Sequence, residues 1–298
     1  MLRCPACLDS IYPNYDELSI HFLNEATNSD PAHVMWLNRY ISGRKLTERQ
    51  LSDELDKFFR SDKIKQWIIS LMIKKFFSNI PHPFITSMQH PSKEVLLGYA
   101  FEHHHFLKQW VRSCSMIIAN TENEDVQFFE IENILSEWYG IPGKEKSHHE
   151  LLLRMGESYG ASRSDIYNTE PLKATKKAVS FWDKVSRNYP FYEGMTAMHS
   201  LELIANRNLK KYGATIGYFD PVILKDRSIT NEAVAFLKEG YSADVSHSET
   251  ALDLIEKYAN STDKRQNCMA VAIRSMEEFS DYLLARLERG EMIENKQH

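Results

Sequence analysis

Apolar residues recur at helical spacing over most of this chain. Ala272, Met276, Phe279 and Leu283 return every three or four positions, so one face of the stretch that carries them is apolar. Strand-like alternation is nearly absent, and at most a short hairpin near residues 3–12 fits the pattern. The spacing therefore predicts an all-α fold. The predicted helices lie near 47–60, 62–78, 92–119, 125–139, 148–160, 172–187, 190–212, 230–260 and 263–289.

Polar start signals and Gly- or Pro-containing breaks divide the chain. Thr47 and Gln50 have the spacing of a capping box, and residues 140–143, 188–190 and 218–221 interrupt the helical pattern. With 298 residues, 43% of them hydrophobic and 26% charged, the chain is an ordinary globular protein that can form one main core. We predict three parts: a zinc-finger-like module at 1–45, a helical connector at 46–91 and the main helical domain at 92–298.

Charge and hydropathy argue against two classes of partner. A formal net charge of −5 provides no basic stripe for phosphate, so nucleic acid is not expected as the main partner. The longest apolar run, residues 67–73, is followed at once by Lys74 and Lys75 and is too short to cross a bilayer. The first residues lack the apolar core of a secretory signal, so we expect a cytoplasmic protein.

Four potential zinc ligands lie near the N-terminus. Cys4 and Cys7 are two residues apart, which in a reducing compartment favours a metal over a structural disulfide, and His21 and His33 follow. Two thiolates and two imidazoles can close a tetrahedral zinc site. The two histidines are farther apart than in a C2H2 finger, so His33 must come from beyond a kink or from a second helix. The alternative is that the cysteines bind no metal and His33 caps a helix.

The same stretch resembles a zinc-finger variant found in archaeal proteins, in which an Asp-x-x-His-x-x-Trp-Leu segment carries the second histidine. Here that segment is residues 30–37 and contains His33. A lone finger without a basic recognition face does not favour DNA binding. The resemblance therefore implies structural zinc, with a role in stability or in docking a protein partner.

The helical body contains a second group of candidate metal ligands. Asp244 and His247 are three residues apart, so on a helix they share one face. Glu137 precedes a break and His148 follows it, which allows both side chains to reach one point. Glu202 lies inside a predicted helix, on its apolar face. An unpaired carboxylate is costly to bury at such a position. Each pattern alone is more often structural than metal-binding.

The order of these residues resembles that of the heme-oxygenase-like non-heme iron oxidases, a broad family that includes pyrroloquinoline-quinone synthase and thiaminase II relatives. The likeness covers roughly residues 92–260. Its carriers are residues 132–140, 147–156, 197–202 and 243–248. The family pattern has an early Glu, a His about ten residues later, a mid-chain Glu and a closing His-x-x-x-Asp-x-x-His. The resemblance implies a heme-oxygenase-like helical bundle and an iron site. Its ligands in this chain are Glu137, His148, Glu202, Asp244 and His247.

One position departs from the pattern. The first His of the closing motif falls on Gly240, so a six-ligand di-iron site is not fully encoded. Two irons, one iron or none are therefore all compatible with the sequence. With iron, the resemblance implies an oxidoreductase that uses dioxygen to oxidise a small organic substrate. The alternatives are a metal-free oxidase of the quinone-synthase type and a non-catalytic interaction protein. The oligomeric state is left open, with a homodimer as the usual default.

Other polar residues offer competing sites. Glu102 and His105 have the Glu-x-x-His spacing of ferritin-like metal sites, but the simpler interpretation places one of the three histidines 103–105 in a pocket wall and two in solvent. Arg154 and Arg207 have the planar guanidinium that binds a substrate carboxylate, but the simpler interpretation places both at solvated surface positions.

Overall fold

Eighteen helical segments and one hairpin make up the described part of the chain. The computed structural model describes residues 1–41, 45–140 and 146–295, with side chains except at 241–247. The hairpin strands are β1 (Leu2–Arg3) and β2 (Ile11–Tyr12). The helices are α1 (Tyr15–Thr27), α2 (Pro31–Trp36), α3 (Glu48–Phe59), α4 (Ile64–Phe76), α5 (Pro83–Ser87), α6 (Lys93–Ala119), α7 (Glu124–Ile134), α8 (His148–Ser158), α9 (Arg163–Asn168), α10 (Lys173–Asn188), α11 (Phe191–His199), α12 (Asn231–Tyr258) and α13 (Thr262–Glu294).

Irregular turns extend several of these helices. A π-helical turn, Leu37–Ile41, follows α2 and another, Leu135–Tyr139, follows α7. Short 3₁₀ segments occupy Ser200–Ala205, Arg207–Tyr212 and Pro221–Lys225. None of the helices within the described residues is both long and apolar enough to span a membrane.

Helix starts follow the polar residues that the sequence offers. Thr47 and Gln50 form the predicted capping box of α3, with each side chain bound to the other's backbone N–H. Ser92 and Thr230 accept hydrogen bonds from the first turns of α6 and α12 in the same way. Such caps satisfy amide groups that have no partner inside the helix.

The predicted single helix over 190–212 is wrong. Helix α11 ends at His199 and the chain continues as two 3₁₀ segments. Asn206 separates them in an extended conformation, and its side chain caps the second by accepting from the Asn208 N–H. Asn competes with the backbone for hydrogen bonds in this way, which is why it favours caps over helix interiors. Because of the break, Glu202 lies in the first 3₁₀ segment and not in a regular α-helix.

Helices α6 and α13, two of the three longest among the described residues, pack directly against each other and against α10. Their backbones approach closely at Gly98 and Gly290. A Cβ built at Gly98 would lie 2.1 Å from the backbone oxygen of Arg286, and one at Gly290 would lie 2.7 Å from that of Glu94. Only glycine permits this separation. This close contact fixes the position, relative to α6, of the part of α13 that faces the interior of the bundle.

The N-terminal hairpin packs on α13 rather than standing apart from the bundle. The Arg3 backbone N–H donates to Asn267 Oδ1 at 2.8 Å, and Gln266 Nε2 donates to the Arg3 carbonyl at 2.9 Å. The Arg3 guanidinium pairs with Glu193 of α11 at 2.9 Å, and both side chains are buried. The finger-like module is therefore attached to the bundle through buried polar contacts. The predicted boundaries of the three parts stay a prediction.

Candidate metal centres and the bundle cavity

Cys4, Cys7, His21 and His33 meet at one point, with one ligand atom from each lying within 4.8 Å of all the others. Cys4 Sγ lies 3.5 Å from His33 Nε2, and the Nε2 atoms of His21 and His33 are 3.0 Å apart. Ser29, in a left-handed conformation with φ of 62°, turns the chain after α1 so that His33 comes from α2. A second helix therefore carries His33, as the spacing predicted.

The surroundings of this group favour a bound cation. Asp30 caps α2 and lies 2.6 Å from His33 Nδ1, an arrangement that orients the ring so that Nε2 faces the cysteines. Burial raises the pKa of Cys4 far above its usual value. A hydrogen bond from Cys4 lowers the pKa of Cys7 to about 2. A bound cation would stabilise both sulfurs as thiolates. Two sulfurs and two imidazole nitrogens are the donors of structural zinc.

A cavity opens inside the bundle and encloses about 680 Å³ of space between atoms, some of it open to solvent. Its wall draws on α6, α8, α12, α13 and the turns after α7 and α11. The lining residues are Tyr99, His103, Phe106, Leu107, Trp110, Glu137, His148, Leu201, Glu202, Ile204, Ala205, Tyr218, Phe219, Phe236, Leu237, Gly240, Phe279 and Arg286. Most are apolar or aromatic, so the few polar groups among them decide the chemistry.

Glu137 and His148 line this cavity as a pair. The carboxylate is 3.0 Å from His148 Nδ1, and each side chain is about one-sixth exposed. Glu137 comes from the π-helical turn after α7, and His148 is the first residue of α8. Two sequence-distant segments therefore place one carboxylate and one imidazole side by side.

Glu202 enters the cavity wall as part of a buried polar chain. His199 Nδ1 lies 2.9 Å from Glu202 and its Nε2 lies 2.8 Å from Glu130. Burial disfavours the imidazolium, but the two carboxylates outweigh it and raise the pKa of His199 to about 10. One oxygen of Glu202 and one of Glu130 are buried without a partner among the described residues. Two carboxylates thus retain free lone pairs next to a charged ring.

Cys114 lies beside the same chain and was not singled out by the sequence. Its Sγ, a Glu130 oxygen and a His199 nitrogen lie within 4.8 Å of one another, and all three residues are buried. Burial, followed by the Glu130 charge, keeps the pKa of Cys114 well above its usual value. The residue is a neutral thiol that donates or packs rather than a nucleophile.

Gly240, Asp244 and His247 all lie in α12. Gly240 lines the cavity at the position where the family pattern has a histidine. Positions 244 and 247 come four and seven residues after position 240, so all three share one face of α12. The side chains of Asp244 and His247 lie outside the described residues. Of the five predicted iron ligands, Glu137, His148 and Glu202 line the one cavity.

The interpretation of the three consecutive histidines is wrong in part. His103 lines the cavity, as one of them was expected to, but the other two are not in solvent. His104 is buried with Nδ1 3.0 Å from His149 Nε2, and His105 binds the Thr169 carbonyl. Glu102 pairs with Arg289 at 2.7 Å, so Glu102 and His105 each have a structural partner.

Sequence reasoning also missed Arg286, Glu130 and His199. The signal available was a polar residue on an apolar helix face: Arg286 continues the spacing of Phe279 and Leu283 along α13. Of the arginines that were considered, Arg154 pairs with Glu150 at the surface and does not line the cavity.

Solved structures show which class of fold this is. The chain is similar to a domain of unknown function with a heme oxygenase-like fold from Shewanella denitrificans (16% identity, 77% of this chain, 93% of that one, TM-score 0.58). It is similar also to a TenA homologue protein from P. horikoshii (15% identity, 80% and 98% covered, TM-score 0.57). The predicted all-α, heme-oxygenase-like fold is confirmed.

The family follows from sequence. The model of the TENA/THI-4/PQQC family matches residues 70–289, and this chain belongs to that family. A C2H2 type zinc-finger model (1 copy) matches residues 1–60, which supports zinc at the N-terminal group. A curated relative, 4-aminobenzoate synthase of Nitrosomonas europaea, is 23% identical over 170 residues, or 56% of this chain. The match spans 63% of that relative's length. Members of the family are often enzymes, as such names show.

Proposed function

We propose that this protein is a non-heme iron oxidase that uses dioxygen to oxidise a small organic substrate in the bundle cavity. The observation that carries the proposal is that Glu137, His148 and Glu202 all line one apolar cavity. The unpartnered, buried Glu202 oxygen supports it, because a buried lone pair without a donor is costly unless a cation meets it.

The donor set fits iron. Carboxylates and imidazoles from several facing helices are the usual ligands of iron in helical bundles. Glu137, His148 and Glu202 would hold the metal together with Asp244 and His247 of α12. When bound, iron supplies the redox chemistry with dioxygen. Gly240 provides no ligand, so a site with fewer protein ligands than the family pattern is expected.

The surrounding residues position the ligands and the substrate. His199 donates to Glu202 through Nδ1 and to Glu130 through Nε2, which fixes the orientation of the Glu202 carboxylate. Phe106, Trp110 and Phe236 form part of the apolar wall, which excludes water from the reacting atoms. The name of the Nitrosomonas relative supports a small aromatic compound as substrate or product.

We assign the N-terminal zinc group a structural role within the same chain. The hairpin that carries Cys4 and Cys7 is held on α13 by Arg3, Gln266 and Asn267. These contacts are intramolecular and buried, so the module serves as an attached part of the bundle.

Metal analysis tests the proposal. The protein is purified without oxygen, reconstituted with ferrous iron, desalted and analysed for zinc and iron per chain. We expect one zinc with one or two irons, and dioxygen consumption faster than that of the same concentration of free ferrous iron. His148→Gln should lose the iron and keep the zinc, because it removes one cavity ligand.

The matched control is His149→Gln. His149 is the next residue of α8 and is more deeply buried than His148, but it stacks on Trp138 and does not line the cavity. This variant should keep its iron. Zinc without iron in the wild type would contradict the proposal and favour a metal-free oxidase or a non-catalytic binding protein.

A further inference from the structure

A single arginine is buried in the wall of the cavity. Arg286 of α13 is 1% exposed, and its guanidinium lies over the Tyr99 ring at 3.9 Å from the ring centre. The close crossing of α6 and α13 at Gly98 holds this turn of the helix in place. The guanidinium therefore has one fixed position at the cavity.

The groups bound to Arg286 are neutral. Its Nη1 donates to Tyr218 Oη at 3.0 Å, and its Nη2 donates to Tyr282 Oη at 2.7 Å and to His103 Nδ1 at 2.9 Å. Burial raises the pKa of both tyrosines and lowers the pKa of His103, which keeps all three uncharged at neutral pH. The Nε–H is buried and has no hydrogen-bond partner among the residues whose side chains are described.

Two other arginines with little exposure, one partly buried and one buried, differ in this respect. Arg289, three residues further along α13, pairs with Glu102 at 2.7 Å, and Arg3 pairs with Glu193 at 2.9 Å. Among the residues whose side chains are described, no carboxylate lies within 4.0 Å of Arg286 in the same way. A buried charge without a counter-ion is costly to maintain, so a buried cation that faces a cavity indicates an anionic ligand.

The rest of the cavity limits what that anion is attached to. Phe106, Leu107, Trp110, Leu237 and Phe279 line it, and none of them solvates charge. A compact polyanion such as a phosphate ester finds only this one cation in the described wall, whereas a planar carboxylate matches a guanidinium fork. The lining therefore favours a carboxylate on an apolar body.

We infer that Arg286 binds the carboxylate of the substrate, and that the substrate is a small carboxylic acid with an aromatic or aliphatic body. This inference rests on the proposed function, since it names the class of molecule oxidised at that site. Arg286 acts as the specificity-determining residue: it sets one end of the substrate against α13, and the apolar body extends along the wall.

Calorimetric titration of the full chain, containing zinc but no iron, tests the inference. Without iron, a carboxylate cannot bind by coordinating it. The probes are 3-phenylpropanoate with its amide, and octanoate with its amide, at pH 7. We expect at least one carboxylate to bind tenfold or more tightly than its amide, and the tighter acid shows whether the body is aromatic or aliphatic.

Two variants locate the effect. Arg286→Gln should abolish the preference for the acid over the amide. Arg289→Gln, which removes the same charge from the same helix outside the cavity, should retain it. Equal binding of acid and amide by the wild type, or a preference that persists in folded Arg286→Gln, would overturn the inference.

A measurement on the wild type keeps the test decisive if Arg286→Gln fails to fold. The Arg286 Nε–H gives a protected nitrogen-proton NMR signal, identified by its absence from Arg286→Lys. The carboxylate should shift this signal and the amide should not; an unmoved signal overturns the inference. Iron binding without acid preference would leave the proposed function standing, and acid preference without iron binding would leave only this inference.

Discussion

The side chains of the N-terminal zinc group and those of the bundle cavity are brought together in different ways. The zinc group gathers its ligands within 30 residues, and all four meet within 4.8 Å. The cavity gathers Glu137, His148 and Glu202 from three separate segments, and each is held by a partner or a turn of its own. Local spacing thus determines the first site, whereas tertiary packing determines the second. We expect the first to govern stability and the second to govern chemistry.

The largest effect should come from removing the zinc ligands. Cys4→Ser should lose the one zinc per chain and with it about 10 kcal/mol of metal-binding free energy, because binding and folding of a finger are coupled. Elemental analysis and the midpoint of thermal unfolding measure this. His148→Gln, by contrast, should leave both the zinc and the midpoint close to wild type.

Cys268→Ser is the matched control for Cys4→Ser. Cys268 is also a buried free cysteine, but it lies outside the zinc group. This variant should keep its zinc. Full zinc occupancy in Cys4→Ser would mean that the four residues are not a metal site. The comparison between the zinc group and the bundle cavity would then no longer hold.

A smaller effect should follow from breaking the contact between the two regions. Arg3→Met leaves Glu193 buried without its cation, which costs about 3–5 kcal/mol in the free energy of unfolding. Burial already raises the pKa of Glu193 despite Arg3, and removing Arg3 raises this pKa further. The variant's deficit should therefore be largest above that pKa and shrink as the pH falls and Glu193 becomes protonated. Urea unfolding at pH 7 and pH 5 measures this.

The double variant Arg3→Met with Glu193→Gln separates lost charge from lost packing. It should recover part of the deficit at pH 7 and show little dependence on pH. A deficit that grows at acid pH would show that Glu193 is not the group responsible.

The smallest effect should come from a surface ion pair between Glu150 of α8, the helix that carries His148, and Arg163 of α9. Arg163 donates to both oxygens of Glu150, and this lowers the pKa of Glu150 to about 2. Because the folded pKa lies below the usual 4.5, the stabilisation is present above pH 4.5 and is lost as the pH falls toward 2. Solvent screens the exposed pair, so Arg163→Gln should cost no more than about 1 kcal/mol at pH 7.

Chemical unfolding at pH 7 and pH 3 checks this last prediction. The difference between the variant and the wild type should narrow at pH 3. If Arg163→Gln lowered the free energy of unfolding as much as Arg3→Met does, burial would not explain the difference in strength between the two ion pairs.

The sequence predicted most of the fold because helical spacing and caps are local properties. Thr47 and Gln50 cap α3 as predicted, but the predicted helix over 190–212 ends at His199, and further along the Asn206 side chain caps a separate 3₁₀ segment. The zinc group could be identified because Cys4 and Cys7 have the spacing of metal ligands and the segment that contains His33 resembles a zinc-finger variant. Arg286 could not, because its surroundings come from α6, α13 and the segment around Tyr218, which only the tertiary structure brings together.

The attachment of β1 to α13 joins residues 263 positions apart in the chain. At the usual 5–20 residues per second of synthesis, roughly 13 to 53 seconds separate their appearance at the ribosome. During that interval the N-terminal module can contact α3 and α11, whose Glu193 pairs with the Arg3 guanidinium, but its backbone has no partner yet in α13. The hydrogen bonds between the hairpin and α13 are consequently among the last contacts to form.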